Sequence, residues 1–119
     1  MKQRILICDD EEGIRESLNL ILEKSYDVHF AENGDKAIEM MKRSPFDLVI
    51  LDIKMPRRDG LDTLKELKKI NPNAKVVIAT GYKSVDTAEE AIKLGASDYI
   101  VKPFDKSKIL ETLKKLQGA

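Results

Sequence analysis

The 119-residue sequence holds one cysteine, one histidine, four prolines and no tryptophan. A single cysteine permits no internal disulfide and no cysteine metal cluster, and fits a reduced, cytoplasmic setting. Neither sign of charge is in excess: 21 Lys and Arg balance 21 Asp and Glu. Composition therefore offers no electrostatic reason to expect nucleic acid or an anionic membrane as a partner. No apolar run approaches the ~20 residues that a membrane-spanning helix needs. The run that follows Met1–Arg4 ends at Cys8 and meets a string of acids, which does not suit a signal peptide. Low-complexity tracts, linkers and internal repeats are also missing, so residues 1–119 read as one domain.

What the sequence does have is 42% hydrophobic residues arranged in short runs. A chain of this length buries roughly two-thirds of its unfolded surface, enough for one core. Four runs rich in Ile, Val and Leu (Ile5–Cys8, Val28–Ala31, Leu48–Ile53 and Val76–Ala79) and a weaker fifth, Tyr99–Val101, suit parallel strands buried on both faces. Helical stripes lie between them: Ile14, Leu18, Ile21 and Leu22, then Ala37, Ile38 and Met41, then Leu61, Leu64, Leu67 and Ile70, stopped by Asn71–Pro72. Val85, Ala88, Ala91 and Ile92 make a fourth stripe with Gly95 as its cap, and Ile109, Leu113 and Leu116 a fifth with Asp105 as its N-cap. The order is (βα)5. It predicts an α/β, doubly wound, flavodoxin-like parallel sheet of five strands, order 2-1-3-4-5, with helices on both faces.

Parallel strands all end on one edge of the sheet. That edge would carry Asp9 and Asp10 after the first strand, Asp52 closing the third, Thr80 after the fourth and Lys102 after the fifth. Strands one and three are neighbours at the switch point of this topology, where ligands bind. Three carboxylates crowded there repel one another unless a cation intervenes. Mg²⁺ (or Mn²⁺) takes hard oxygen ligands and keeps sites for a phosphate, and Lys102 supplies an ammonium opposite. The pair would form a clamp for a phosphoryl group. Asp52, between the other groups in sheet order, is the best-placed nucleophile, since a carboxylate needs no general base. Asp9 and Asp10 would hold the metal, and the Thr80 hydroxyl would meet a phosphoryl oxygen and report it.

Over essentially its whole length the sequence resembles the receiver domains of response regulators in two-component signalling. The residues that carry the resemblance are Asp9–Asp10 after Ile5–Cys8, the segment Leu51-Asp52-Ile53-Lys54-Met55-Pro56 with Asp59–Gly60, Thr80, Gly95–Ala96, and Lys102-Pro103-Phe104. The resemblance implies that Asp52 accepts a phosphoryl group from a histidine kinase, a phosphotransfer protein or a small phosphodonor. It implies that Asp10, Asp52 and the Lys54 carbonyl ligate Mg²⁺ and that Asp9 does so mainly through water. Lys102 would contact the phosphoryl group, with a cis bond to Pro103. Thr80 and Tyr99 would couple it to the face made by the fourth helix, fifth strand and fifth helix, which meets a downstream protein or output domain. The first helix would face the kinase. Lys54 and Tyr82 stand two residues after Asp52 and Thr80, where bulk slows hydrolysis and prolongs the phosphorylated state. Lys54, Tyr82, Glu11 and Gly13-Ile14-Arg15 are similar to the receiver of the sporulation phosphorelay, and the Gly95–Phe104 segment to receivers of σ54-type activators.

Such a domain is a bacterial phosphoprotein that catalyses only its own phosphorylation and dephosphorylation, not a turnover enzyme. It would be monomeric or dimerise on phosphorylation, with no membrane contact and no direct contact of this chain with nucleic acid. Two other classes fit the sequence less well. An aspartyl-phosphate phosphohydrolase usually needs a substrate-recognition cap or a second acid-base carboxylate near its nucleophile, and two residues after Asp52 stands Lys54. A flavin carrier needs a phosphate loop after the first strand, and Asp9-Asp10-Glu11-Glu12 would repel the phosphate. Cys8 and Met40–Met41 read as packing, His29 as structural, and Arg57–Arg58 with Lys65, Lys68 and Lys69 as solvated charge.

Overall fold

The computed structural model describes residues 2–53, 60–81 and 85–117. Five strands alternate with five helices: β1 (Gln3–Cys8), α1 (Glu12–Leu22), β2 (Tyr26–Ala31), α2 (Gly34–Arg43), β3 (Leu48–Asp52), α3 (Gly60–Ile70), β4 (Lys75–Gly81), α4 (Val85–Lys93), β5 (Asp98–Lys102) and α5 (Lys106–Gln117). The strands form one parallel sheet in the order β2-β1-β3-β4-β5, as the alternation predicts.

Side chains along a strand alternate between faces, and here both faces are apolar. Leu6, Cys8, Val49, Leu51, Val76 and Ile78 point into one core with Ala37, Met41, Leu64, Leu67, Ala88 and Ala91 of α2, α3 and α4. Their neighbours Ile5, Ile7, Leu48, Ile50, Val77 and Ala79 point into the other, with Leu18 and Leu22 of α1 and Ile109 and Leu113 of α5. This double burial is why the strands read as continuous runs rather than as alternation.

The helix ends follow local chemistry. Asn33 caps α2 by accepting from the Lys36 N–H at 2.8 Å, and Asp105 caps α5 by accepting from the Lys108 N–H at 2.8 Å. Gly95 adopts φ +112° after α4, a conformation open to glycine at little cost, and the Ala96 N–H donates back to the Ala91 carbonyl. The Lys102–Pro103 bond is cis. Cys8 and Met41 are fully buried, as packing residues should be. The ring of His29 meets that of Phe46 edge-on, on the outer strand β2. Lys68 departs from expectation. Its ammonium donates to the carbonyls of Pro72 and Ala74, both at 2.8 Å, and so ties the end of α3 to the turn before β4. Arg57 and Arg58 lie outside the described residues.

Candidate functional site

The carboxyl ends of β1, β3, β4 and β5 bring the expected residues together. Asp52 is the last residue of β3 and stands beside Ala79 of β4. Lys102, the last of β5, stands beside Gly81. Asp9 follows β1 and is tied to the end of the neighbouring strand β2 by its N–H, which donates to the Ala31 carbonyl at 3.1 Å. Asp9, Asp10 and Asp52 each offer a carboxylate oxygen within 4.8 Å of the others. Asp9 and Asp52 are buried, at 2% and 6% exposure, while Asp10 is open to solvent.

Lys102 is the counter-charge, and it lies nearer to Asp9 than to Asp52. Its ammonium donates to Asp9 Oδ2 at 2.9 Å and lies 3.5 Å from Asp52 Oδ2. Burial alone would lower its pKa. The hydrogen bond to Asp9 and the charges of Asp52, Asp9 and Glu11 outweigh that, and the pKa is raised. Lys102 is therefore firmly cationic at neutral pH. Asp9 uses both carboxylate oxygens, since Oδ1 accepts from the Glu11 N–H at 2.9 Å.

Behind the acids, burial and the charges of Asp52, Asp9 and Asp10 push the Cys8 thiol up to about 12. The thiol donates to the Asn33 carbonyl at 3.4 Å and is inert at physiological pH. Thr80 is buried at the end of β4, and its hydroxyl donates to the Gly81 carbonyl at 3.2 Å, long for such a bond. Tyr99 is half-buried in β5 against the core beneath α4. Lys54 and Tyr82 lie outside the described residues, as do Met55, Pro56 and Asp59 of the motif after β3.

The donor set suits a hard divalent cation: carboxylate oxygens only, with Asp10 exposed to leave room for water or phosphate oxygens. A residue the motifs did not single out also belongs here. The Arg15 guanidinium, from the first turns of α1, donates to the Asp9 carbonyl at 2.7 Å. Its only trace in the sequence was a place in the Gly13-Ile14-Arg15 run.

A flavodoxin-like parallel sheet carrying a buried aspartate, a carboxylate cluster and an opposed lysine at its switch point defines the class of phosphoacceptor signalling domains. Residues 5–114 match the family of the response regulator receiver domain, and the chain belongs to it. It is 46% identical over 110 residues to the transcriptional regulatory protein ZraR of Klebsiella oxytoca, covering 92% of this chain and 25% of that protein. It is 40% identical over 116 residues to sporulation initiation phosphotransferase F of Bacillus subtilis, covering 97% and 94%. The crystal structure of the receiver domain of NtrX from Brucella abortus superposes with a TM-score of 0.89 at 35% identity, covering 93% of this chain and 95% of that one. The chain thus spans about a quarter of the length of the ZraR proteins it resembles. Among the described residues no helix is long and apolar enough to cross a membrane.

Proposed function

We propose that residues 1–119 form one receiver domain that acts as a Mg²⁺-dependent aspartyl-phosphate switch in the cytoplasm. The observation that carries this reading is the burial of Asp52 at the end of β3 with an ammonium 3.5 Å away and two further carboxylates beside it. A carboxylate oxygen of Asp52 attacks the phosphorus of a phosphohistidine presented by a histidine kinase or phosphotransfer protein. The new O–P bond forms as the P–N bond breaks, and the imidazole leaves with the bonding pair and takes up a proton. The product is an acyl phosphate on Asp52. Asp10, Asp52, the Lys54 carbonyl and, less directly, Asp9 would hold Mg²⁺ or Mn²⁺, which would supply positive charge to the phosphoryl oxygens.

The remaining roles fall to side chains already at the edge. Lys102, between Asp9 and Asp52, is placed to donate to a phosphoryl oxygen on Asp52. Thr80 exchanges its long bond to the Gly81 carbonyl for the phosphoryl acceptor, which exists only in the modified state. Its shift and that of Tyr99 favour an alternative arrangement of the α4–β5–α5 face, and phosphate raises the share of that conformer by binding it better. A downstream protein, an output domain or a second copy of the domain then reads this face.

The test is incubation with acetyl phosphate, with and without Mg²⁺, on wild type and Asp52→Asn, read by intact mass. Mg²⁺-dependent addition of one phosphoryl group to wild type alone is expected. Addition that survives in Asp52→Asn would sink the assignment, and steady turnover of small phosphoesters would favour a phosphohydrolase. With Lys54 and Tyr82 following Asp52 and Thr80, the phosphoryl group should persist on the order of an hour or longer, where the bulk of these side chains excludes attacking water from the acyl phosphate. Loss within seconds, unaltered by Lys54→Ala, would remove the roles given to those two residues.

A further inference from the structure

We propose that Arg15 is a positioning residue for the divalent-cation site, acting through the Asp9 carbonyl on the placement of Asp10; the inference rests on the metal reading above. Asp9 is held at four points. Its N–H donates to Ala31, Oδ1 accepts from the Glu11 N–H, Oδ2 accepts from Lys102, and its carbonyl accepts from Arg15. Two of these, at Ala31 and Lys102, fix Asp9 itself. The other two bracket Asp10: the Glu11 N–H belongs to the peptide plane after Asp10, and the Asp9 carbonyl, held by Arg15, belongs to the plane before it. Asp10 is exposed, and among the described residues it makes no side-chain hydrogen bond. The orientations of these two planes restrain where its carboxylate stands, and Arg15 is the side chain that reaches the first of them from α1.

The placement of Arg15 argues against a purely helical role. It lies close to the amino end of α1, where a cation opposes the helix dipole. Glu11 before α1 makes no side-chain cap and the acid of the first turn is Glu12, so Arg15 adds nothing to the stability of this helix end. Instead the guanidinium forms a short, charge-assisted hydrogen bond, 2.7 Å, to a backbone carbonyl at the rim of the site. Partners that orient ligands in this way typically alter metal affinity 10–100-fold when removed. Arg15 thus holds one side of the Asp10 backbone, and with it the approach of the Asp10 carboxylate to Asp52, before any ion arrives.

The experiment follows the amide shifts of Asp10 and Glu11 in ¹⁵N-labelled full chain titrated with Mg²⁺ alone. Wild type, Arg15→Met, Arg15→Lys, Arg15→Gln and Asp10→Asn are compared, with melting temperatures taken in metal-free buffer. Arg15→Met keeps the apolar stem and removes the donor. It should raise the Mg²⁺ dissociation constant about tenfold while the metal-free melting temperature moves by only a few degrees. Arg15→Lys, which keeps a cationic donor, should recover most of the affinity. Wild-type affinity in Arg15→Met, or no recovery in Arg15→Lys, overturns the proposal. If Arg15→Met does not fold, equal affinities in Arg15→Lys and Arg15→Gln overturn it instead. A wild-type response that is lost in Asp10→Asn but intact in Arg15→Met defeats the role of Arg15 alone. No Mg²⁺ response in wild type defeats the metal reading and this proposal together.

Discussion

Cys8 shows how a site of concentrated charge reaches a residue that does no chemistry in it. Its thiol is fully buried in the core one residue before Asp9, and burial together with three carboxylates raises its pKa to about 12. Because the folded value lies above the unfolded one, the thiol binds its proton more tightly in the native state. Its contribution to stability is complete below pH 9, the ordinary value, and is lost as pH rises through the folded value. Wild type measured without metal should therefore lose about 2 kcal/mol more than Cys8→Ala between pH 8 and about pH 10.5, at 1.36 kcal/mol per pKa unit. Denaturant melts at the two pH values check this, and parallel losses in the two proteins would contradict it. In the same way native Cys8 should resist iodoacetamide at pH 8 and react only after unfolding.

At the scale of the element, the connection from β3 to α3 is closed by a glycine. The Gly60 N–H donates to the Ile53 carbonyl at 3.2 Å, and a Cβ on Gly60 would overlap the Ile53 carbonyl and Cα. Neither is a flexible side-chain end, so backbone must move. Gly60→Ala is expected to cost about 1–3 kcal/mol and to slow phosphorylation, since Ile53 follows Asp52 directly. Gly13, with nothing within 4 Å of its would-be Cβ, is the control inside α1. Gly13→Ala should leave phosphorylation intact and stabilise by about 0.4–1 kcal/mol. Elements such as these were largely legible in the sequence. Double burial made the strands apolar runs, the 3.6-residue stripes marked each helix, and Asp105 and Gly95 marked ends that the structure places as caps. The acids, Thr80 and Lys102 were legible because a parallel sheet sends every strand's carboxyl end to one edge. Three contacts were not. Lys68 on two carbonyls, Arg15 on a third, and the preference of Lys102 for Asp9 over Asp52 are choices among rotamers of long side chains. A lysine that reaches a backbone oxygen has the same sequence surroundings as one in water.

The molecule as a whole is built around a charge imbalance that its fold creates and its neutral composition conceals. Among the described residues, two buried carboxylates and one exposed one face one ammonium, Lys102, whose side chain keeps 18% of its exposure. Its raised pKa means that this pairing persists across the neutral range; the stabilisation is complete below about pH 10.4 and fades only as pH rises through the still higher folded value. Removing the ammonium leaves Asp9 and Asp52 buried without it. Breaking a fully buried pair costs about 3–5 kcal/mol, and partial exposure of Lys102 reduces this to about 2–3 kcal/mol. Lys102→Met should therefore melt about 10 °C below wild type in metal-free buffer. The lost charge is one that a divalent cation can replace. A ligand that binds only the folded state stabilises it by RT ln(1 + [L]/Kd), and without Lys102 competing for Asp9 and Asp52 the cation should bind more tightly. The rise in melting temperature on adding 10 mM Mg²⁺, roughly a hundred times a tight site's Kd and near a weak one's, should then be larger in Lys102→Met than in wild type. Phosphorylation of the same variant should be impaired, because in the proposed mechanism the phosphoryl group draws on both cations while folding needs either one. An equal or smaller Mg²⁺-induced rise in Lys102→Met would show that lysine and metal do not answer the same carboxylates.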